Sequence, residues 1–424
     1  MGIYTPLKVG SNQNPSFRNL TMPRKGINRE NLPQMMNVEF ATIIMNYIPH
    51  SYGLEKRKGL AKLFEISGAT PLTLLKKFTT NVWIFGYGTT IAAYNTSTDT
   101  VTTIKNDFSV NNGFDGVRYG EYFFVCNKVE KIYRIDNSLT PTEVSNAPVC
   151  GGLKVIGPRL YAFDIDTDET EVRYSEVDDG SNPPFTGWTI STNADTGGRV
   201  NYRNAGTVRS VVQLGAYTVV FCDNGFYSFA ITTQEVSGVL VKSEVIQNYT
   251  EDFGGARGAI ETPVGIFYVN EAGLWQMVSV GQTDVPLSRQ QVLTSVLLGS
   301  EYFDGVDQSE TTIFHDEKQR CVFVSGAKDS QSNNWVLGYK TDLKAFFEIE
   351  GWSINRFARD GANMYGASSV KTTAYQLFAG YDDDGFDIGT VYEQEIPLGT
   401  LFHAHALSEM YAGGYLTPDT SLVT

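Results

Sequence analysis

One unit recurs along this chain and restricts its fold more than any other feature: an apolar run, a short polar turn, a second apolar run, and another turn. The first copies are Val82-Trp-Ile-Phe-Gly86 with Ile91-Ala-Ala-Tyr94, Tyr122-Phe-Phe-Val-Cys126 with Lys131-Ile-Tyr-Arg-Ile135, and Leu160-Tyr-Ala-Phe163 with Glu171-Val-Arg-Tyr174. Tyr217-Thr-Val-Val-Phe-Cys222 with Phe226-Tyr-Ser-Phe229, and Gly265-Ile-Phe-Tyr-Val269 with Leu274-Trp-Gln-Met277, follow. The last are Cys321-Val-Phe-Val324 with Trp335-Val-Leu-Gly-Tyr339, and Asn363-Met-Tyr365 with Tyr375-Gln-Leu-Phe378. Turns such as Cys222-Asp-Asn-Gly225 and Asn270-Glu-Ala-Gly273 suit chain reversal. Flanking runs, for example Thr207-Val-Arg-Ser-Val-Val212 and Gly238-Val-Leu-Val-Lys-Ser243, raise each copy to four strands. The copies lie roughly 40 to 58 residues apart, the period of a four-stranded blade with variable loops.

Seven such units make roughly thirty strands, too many for one sandwich. Radial repetition packs each sheet on the next and leaves only short edges. The expectation is an all-β chain forming a seven-bladed β-propeller over residues 38–380. The last copy shows only Asn355-Arg-Phe-Ala358 and its hairpin, so a strand near residues 59–65 is expected to pair there and close the ring. Residues 1–37, rich in Asn, Pro and Arg, read as an extended assembly arm ordered mainly by a partner. Ser288 to Gly299 reads as a helix with Val292, Leu293, Val296 and Leu297 on one face. Residues 381–424 read as a C-terminal extension or partial platform outside the ring.

Composition agrees with this reading. Apolar residues make up 42% of the 424 and charged ones 19%, enough for a sizeable core. The 41 Gly, 23 Tyr and 25 Phe, with frequent Val and Thr, suit short pleated strands and tight turns. Cys126, Cys150, Cys222 and Cys321 lack CxxC spacing and read as buried thiols. With neither a signal-peptide apolar region nor a run of about 18 apolar residues, a soluble protein made in a reducing cytoplasm is expected. Charge is uneven: residues 1–62 hold nine Lys/Arg against three Asp/Glu, a net +6, which leaves −20 for the rest of a chain whose total is −14. An acidic body repels phosphates and argues against a gripping nucleic-acid groove, though not against a passage for sliding DNA.

No catalytic set emerges, and an enzyme is not expected. Asp164, Asp166 and Asp168 alternate as in an oxygen-ligand cation loop, yet an acidic hairpin turn explains them and no metal or cofactor is assigned. Tyr381-Asp-Asp-Asp-Gly385 reads the same way. Ser175 to Gly180 with Trp188 departs in spacing from an Asp-box, and His403-Ala-His405 is too little for a zinc centre. There is no Gly-x-Ser-x-Gly elbow, P-loop or strand-linked GxGxxG. The cluster Lys56-Arg57-Lys58 serves equally as a solvated turn or a docking contact.

Arg24-Lys-Gly-Ile-Asn-Arg29, Leu32-Pro33, Met36-Asn37, Tyr52-Gly-Leu-Glu-Lys-Arg-Lys-Gly-Leu60 and Gly380-Tyr-Asp-Asp-Asp-Gly385 resemble segments of the tail nozzle proteins of short-tailed bacteriophages, also called tail tubular or packaged-DNA stabilisation proteins. The resemblance covers roughly residues 20–390. It implies a structural ring, a hexamer, in the virion tail, assembled in the host cytoplasm. Such a ring would continue the DNA channel below portal and adaptor, join distal tail proteins, pass double-stranded DNA without sequence-specific binding, and retain then release the genome. Arg18, Arg24, Lys25, Arg29, Lys56, Arg57 and Lys58 would make assembly contacts. The short tail after Phe386 departs from relatives that continue into a further platform. The rival readings are a glycan-binding or glycan-cleaving receptor module of a tail fibre, and a cellular propeller scaffold for peptides.

Overall fold

A computed structural model describes residues 23–31, 39–68, 70–109, 113–177, 187–203, 205–250, 258–270, 272–279, 287–291, 294–299 and 301–393. Their strands form seven sheets and one small hairpin. Blade 1 is Leu72–Lys77, Val82–Tyr87, Thr90–Asn95 and Thr100–Lys105; blade 2 is Asp115–Tyr119, Tyr122–Cys126, Tyr133–Ile135 and Pro141–Glu143. Blade 3 is Cys150–Ile156, Arg159–Ile165, Glu171–Tyr174 and Gly198–Asn201; blade 4 is Val208–Leu214, Tyr217–Cys222, Gly225–Val236 and Val239–Thr250. Blade 5 is Ala259–Thr262, Gly265–Asn270, Gly273–Ser279 and Leu287–Gln291. Blade 6 is built on Val306–Asp316, Cys321–Lys328, Trp335–Lys340 and Ala345–Ile349, and blade 7 on Ile354–Asp360, Asn363–Ser368, Thr373–Leu377 and Leu60–Glu65. The first strand of each blade touches the first strand of the next, and Ile354–Asp360 returns to Leu72–Lys77. Seven antiparallel sheets in a closed cycle make a β-propeller.

The apolar runs are continuous because both faces of an inner sheet are covered. Successive side chains alternate between faces, so one strand serves two interfaces. Trp83 and Phe85 point toward blade 7, where Trp83 lies 4.5 Å from Tyr365, while Ile84 joins Phe123 and Val125 of blade 2. Phe124 and Cys126 then meet Cys150 and Leu160 of blade 3. Val220 and Cys222 of blade 4 face blade 3, and Val219 and Phe221 face Ile266 and Tyr268 of blade 5. Outer strands lose that cover and turn polar, as in the exposed Thr100–Thr103.

Closure is non-covalent. Leu60–Glu65 is the outer strand of blade 7, antiparallel to Thr373–Leu377, with Phe64 opposite Ala374 and Leu60 opposite Leu377. Phe64 also sits 4.5 Å from Phe85 of blade 1, so one aromatic joins both ends of the ring. The preceding Gly59 is dictated by space: a Cβ there would lie 1.7 Å from the carbonyl oxygen of Asp382.

Blade 6 grows beyond four strands. Ile43–Met45 adds parallel to Ala345–Ile349, and Val391–Glu393 adds antiparallel to Ile43–Met45 as the outermost strand. Part of the 381–424 segment is therefore stitched to a blade; residues 394–424 lie outside the described residues.

Two expectations change. The Ser288 to Gly299 stretch supplies the fourth strand of blade 5, Leu287–Gln291, and a single helical turn, Thr294–Leu297. The open edge of Gly273–Ser279 outcompetes local helical preference there. Residues 23–31 of the arm pack on this chain itself: Ile27 is fully buried, its N–H donates to the Phe346 carbonyl at 3.0 Å, and Asn28 N donates to Ala41 O at 2.8 Å. Gly26 permits the approach, at φ +86° and with the backbone of Phe346 2.5 Å from a would-be Cβ. Residues 1–22 and 32–38 lie outside the described residues.

Candidate functional site

The basic residues of the N-terminal region are largely occupied within the chain. Arg24 donates from Nε to Glu39 at 2.7 Å, and Lys25 pairs with the same carboxylate at 2.7 Å. The hydrogen bonds from Lys25 and Arg24 hold the Glu39 carboxyl below its usual range. Arg29 grips Glu348 with both terminal nitrogens, at 3.2 and 2.7 Å.

Arg57 is wholly buried. It donates to Asn46 Oδ1 at 2.7 Å, the Glu350 carbonyl at 2.8 Å, the Lys58 carbonyl at 3.1 Å, and both oxygens of Asp383, one at 2.8 Å. Its guanidinium lies 5.1 Å from the centre of the Trp352 ring. A planar donor fork that fills five acceptors from four segments is a rivet between the small hairpin (Tyr47–His50 with Gly53–Lys56), blade 6 and the segment around Asp383 that follows blade 7. Lys56 is half-buried and Lys58 exposed; Arg18 lies outside the described residues.

The acidic turn of blade 3 does not gather into a cation site. Asp164 is buried at φ 55° and pairs with Lys128 at 2.7 Å, and Asp168 accepts from Thr170 and Asn201 at 2.7 and 2.5 Å. Asp166 is exposed. Among the described residues no three His, Cys, Asp or Glu side chains converge to hold a metal. Of the late acidic turn, Asp383 meets Arg57, while Asp384 accepts from Lys371 and Tyr375, both at 3.1 Å. Residues 178–180 and both His403 and His405 lie outside the described residues.

The surface least explained by ring closure is the outer hairpin of blade 4. Gly225–Val236 and Val239–Thr250 pair over eleven registered positions, and Ser237 and Gly238 (φ 53° and 81°) make the two-residue turn. Residues 232–240 are exposed, so the distal half of the hairpin leaves the blade. Register divides its two faces. Val236 with Val239, Gln234 with Val241, Thr232 with Ser243, and Ala230 with Val245 share one face, which carries no charge. Glu235, Lys242 and Glu244 all lie on the other.

That charged face is held from within the chain. Lys242 donates to the Thr196 carbonyl at 2.6 Å and to the Gly197 carbonyl, and Arg159 donates to Ser175 O at 2.5 Å, Thr196 O at 2.8 Å and Ala194 O. Both cations lie against the ring of Tyr174, at 5.0 and 5.1 Å, and the Tyr174 hydroxyl donates to Glu244. Burial, with Arg159 nearby, brings the Lys242 ammonium down to about 8. Residues 192–194 also pair with the strand edge, Lys242 N donating to Thr192 O at 2.8 Å and Ala194 N to Leu240 O at 3.0 Å. The uncharged face, with Val239 and Val245 about half exposed, has no such cover among the described residues. In the sequence Gly238 to Ser243 stands out only as a flanking run. The signal was Ser237-Gly238 between two long β-branched and polar stretches, which marks a two-residue hairpin turn.

No helix among the described residues is long and apolar enough to cross a membrane. No family model and no curated protein matches the sequence. Among solved structures the chain is similar to the extracellular domain of the one component system BT4673 from B. thetaiotaomicron, at TM-score 0.51 and 12% identity over 77% of this chain and 40% of that one. A second structure of that domain, described as part of a hybrid two component system, gives 0.50 and 9% over 76% and 39%. YCF48 bound to D1 peptide gives 0.49 and 9% over 78% and 97%. The chain spans about two fifths of the length of the BT4673 structures. At such identities the likeness extends to the fold alone: this chain is a β-propeller.

Proposed function

We propose that this protein is a structural subunit of a short-tailed phage tail: one copy in a ring that continues the DNA channel and helps to retain and then release the genome. It acts by presenting surfaces, not by catalysis. The observation that carries the reading is the blade 4 hairpin, whose Val-rich uncharged face projects from a ring that closes without it. The partner we assign to that face is a second copy of this chain. A charge-free β-branched sheet face suits packing against a neighbour, whereas the edge of strand Val239–Thr250 is covered near residues 240–242 by residues 192–194. Blade 6 offers an outermost strand in Val391–Glu393, whose side chains are exposed. A hairpin face on one blade and a strand edge on another are two different surfaces, which allow the head-to-tail contacts that close a ring.

Charge supports the same reading. The −20 balance beyond residue 62 disfavours adhesion of passing DNA phosphates. Lys58 remains exposed, and available to an adaptor or distal tail protein, whereas Arg24, Lys25, Arg29 and Arg57 brace the subunit itself. The test is light scattering of the purified chain, alone and with an adaptor ring, for the wild type and for Val239→Asp/Val245→Asp. Ring assembly that the double substitution abolishes supports the proposal; a wild type that stays monomeric under every condition and never joins tails refutes it.

A further inference from the structure

The two most exposed large apolar side chains among the described residues sit on one turn, and neither the closed ring nor the blade 4 hairpin accounts for them. Tyr381 is 93% exposed and Phe386 76%. A surface turn needs neither, because Asp, Asn and Gly reverse a chain without displaying aromatic surface to water. The backbone here is a tight reversal: Asp383 N donates to Phe386 O at 2.8 Å, and Phe386 N to Asp383 O at 3.2 Å. Asp384 and Gly385 take the turn positions at φ 56° and 92°.

The turn is clamped to the propeller. Asp383 is gripped by the buried Arg57, and Asp384 accepts from Lys371 and Tyr375, both at 3.1 Å. Leu60 N donates to Asp382 O at 2.8 Å, and Gly385 N to Asp382 Oδ1 at 3.0 Å. These bonds fix the turn in advance, so a segment that binds it spends no free energy on ordering it. Asp383 and Asp384 are paired within the chain, while Asp382 and Asp387 are exposed. The surface is therefore two aromatic rings with negative charge beside them, and it fits an apolar segment that carries positive charge.

The uncharged face of the blade 4 hairpin offers nothing to Asp382 or Asp387. Residues 1–22 do: Lys8 and Arg18 are their only charged side chains, and Ile3, Leu7, Phe17 and Leu20 are spread among them. The place where that segment meets the described chain favours the same match. Residues 27–29 are seated on blade 6 of their own chain, by the bond from Ile27 N to Phe346 O at 3.0 Å and by Arg29 on Glu348. Blade 6 is in turn tied to the turn, since Arg57 donates both to Glu350 O at 2.8 Å and to Asp383. From that seat 22 extended residues reach roughly 70 Å, against about 20 Å for an ordinary strand. Reach is not limiting, and the tether keeps the segment at high local concentration.

We propose that residues 1–22 fold back onto the Tyr381–Asp387 turn of the same chain and so continue the seat already made by residues 23–31. Phe386, with no polar atom to keep wet, is the anchor. Tyr381 forms the rim with its hydroxyl in water, and Lys8 and Arg18 lie against Asp382 and Asp387. The contact belongs to a single copy and does not depend on ring assembly.

The experiment places the photo-reactive residue p-benzoylphenylalanine at position 381 of the full-length protein. Ordinary and heavy-nitrogen copies are mixed in equal amounts at low concentration and irradiated, and the cross-linked peptides are mapped by mass spectrometry. The expected link joins position 381 to residues 1–22, with both peptides ordinary or both heavy. A link that combines one ordinary and one heavy peptide gives the turn to a second copy and overturns the proposal. A link only to other segments, or no link, overturns it as well. In parallel, trypsin cleavage at Arg18 is followed in the wild type and in Phe386→Ala. A docked segment is cut only when released, so the rate follows the released fraction. Cleavage is expected to be at least about fivefold faster in Phe386→Ala, since truncating an interface anchor has an effect of that order. Equal rates in the two proteins overturn the proposal, and the cross-link decides alone if Phe386→Ala fails to fold.

Discussion

Replacing Arg57 by Ala is expected to be among the most damaging single substitutions in this protein. The side chain is fully buried and supplies donors to Asn46, Lys58, Glu350 and both oxygens of Asp383. Asp383 is itself 9% exposed, so truncation leaves a buried carboxylate without its counter-charge. Loss of one partner of a buried pair costs about 3–5 kcal/mol, a large share of the roughly 5–15 kcal/mol that stabilises a folded domain. Urea unfolding followed by tryptophan fluorescence reads this directly, because Trp352 lies under the guanidinium. The companion variants are Asp383→Asn and the double variant Arg57→Met/Asp383→Asn. The double is expected to lose less than the sum of the singles, since it removes both charges together. A loss below about 1 kcal/mol for Arg57→Ala, or strictly additive losses in the cycle, would refute the rivet.

Phe64→Ala removes the aromatic joining blades 7 and 1 and is expected to cost about 3–5 kcal/mol in the same assay, whereas the 93% exposed Tyr381→Ala should stay within about 0.5 kcal/mol. Gly59→Ala should expose the ring seam to limited proteolysis, because its Cβ collides with the carbonyl of Asp382. Lys242 has a folded-state value near 8, below its ordinary 10.5, so the unfolded chain binds more protons between these values. The stability of the wild type relative to Lys242→Met is therefore expected to rise from pH 8 to 10.5, and a flat or falling difference would contradict the assignment. Burial pushes the thiol of Cys222 up to about 12 and raises those of Cys126 and Cys321, so a thiol reagent at pH 8 should leave all three unmodified until the protein is denatured.

The repeat was legible because the blade interior makes one demand seven times: a strand apolar on both faces, a tight turn, and a return strand. Trp83 to Phe85 and Val219 to Phe221 meet it so fully that composition and turn residues suffice. The closing strand was legible by deficit, since blade 7 lacked an outer strand and Leu60 to Glu65 had the right character. Other features depend on register or on distant partners. The basic arm residues looked free because Glu348 and Asp383 stand more than 300 positions away in sequence from Arg29 and Arg57. Ser288 to Gln291 reads locally as the start of a helix, and only the vacant edge of blade 5 makes it part of a strand. The uncharged face of the blade 4 hairpin appears once Val236 is set opposite Val239, which places every charge on the other side.

The central claim is that these propellers are building units of a tail ring. Cryo-electron microscopy of tail particles carrying this chain tests it most directly. The account predicts a closed ring of copies around the DNA path, with Val239 and Val245 buried against a neighbouring subunit. Particles without this chain, or a ring in which that hairpin face points into solvent, would contradict it.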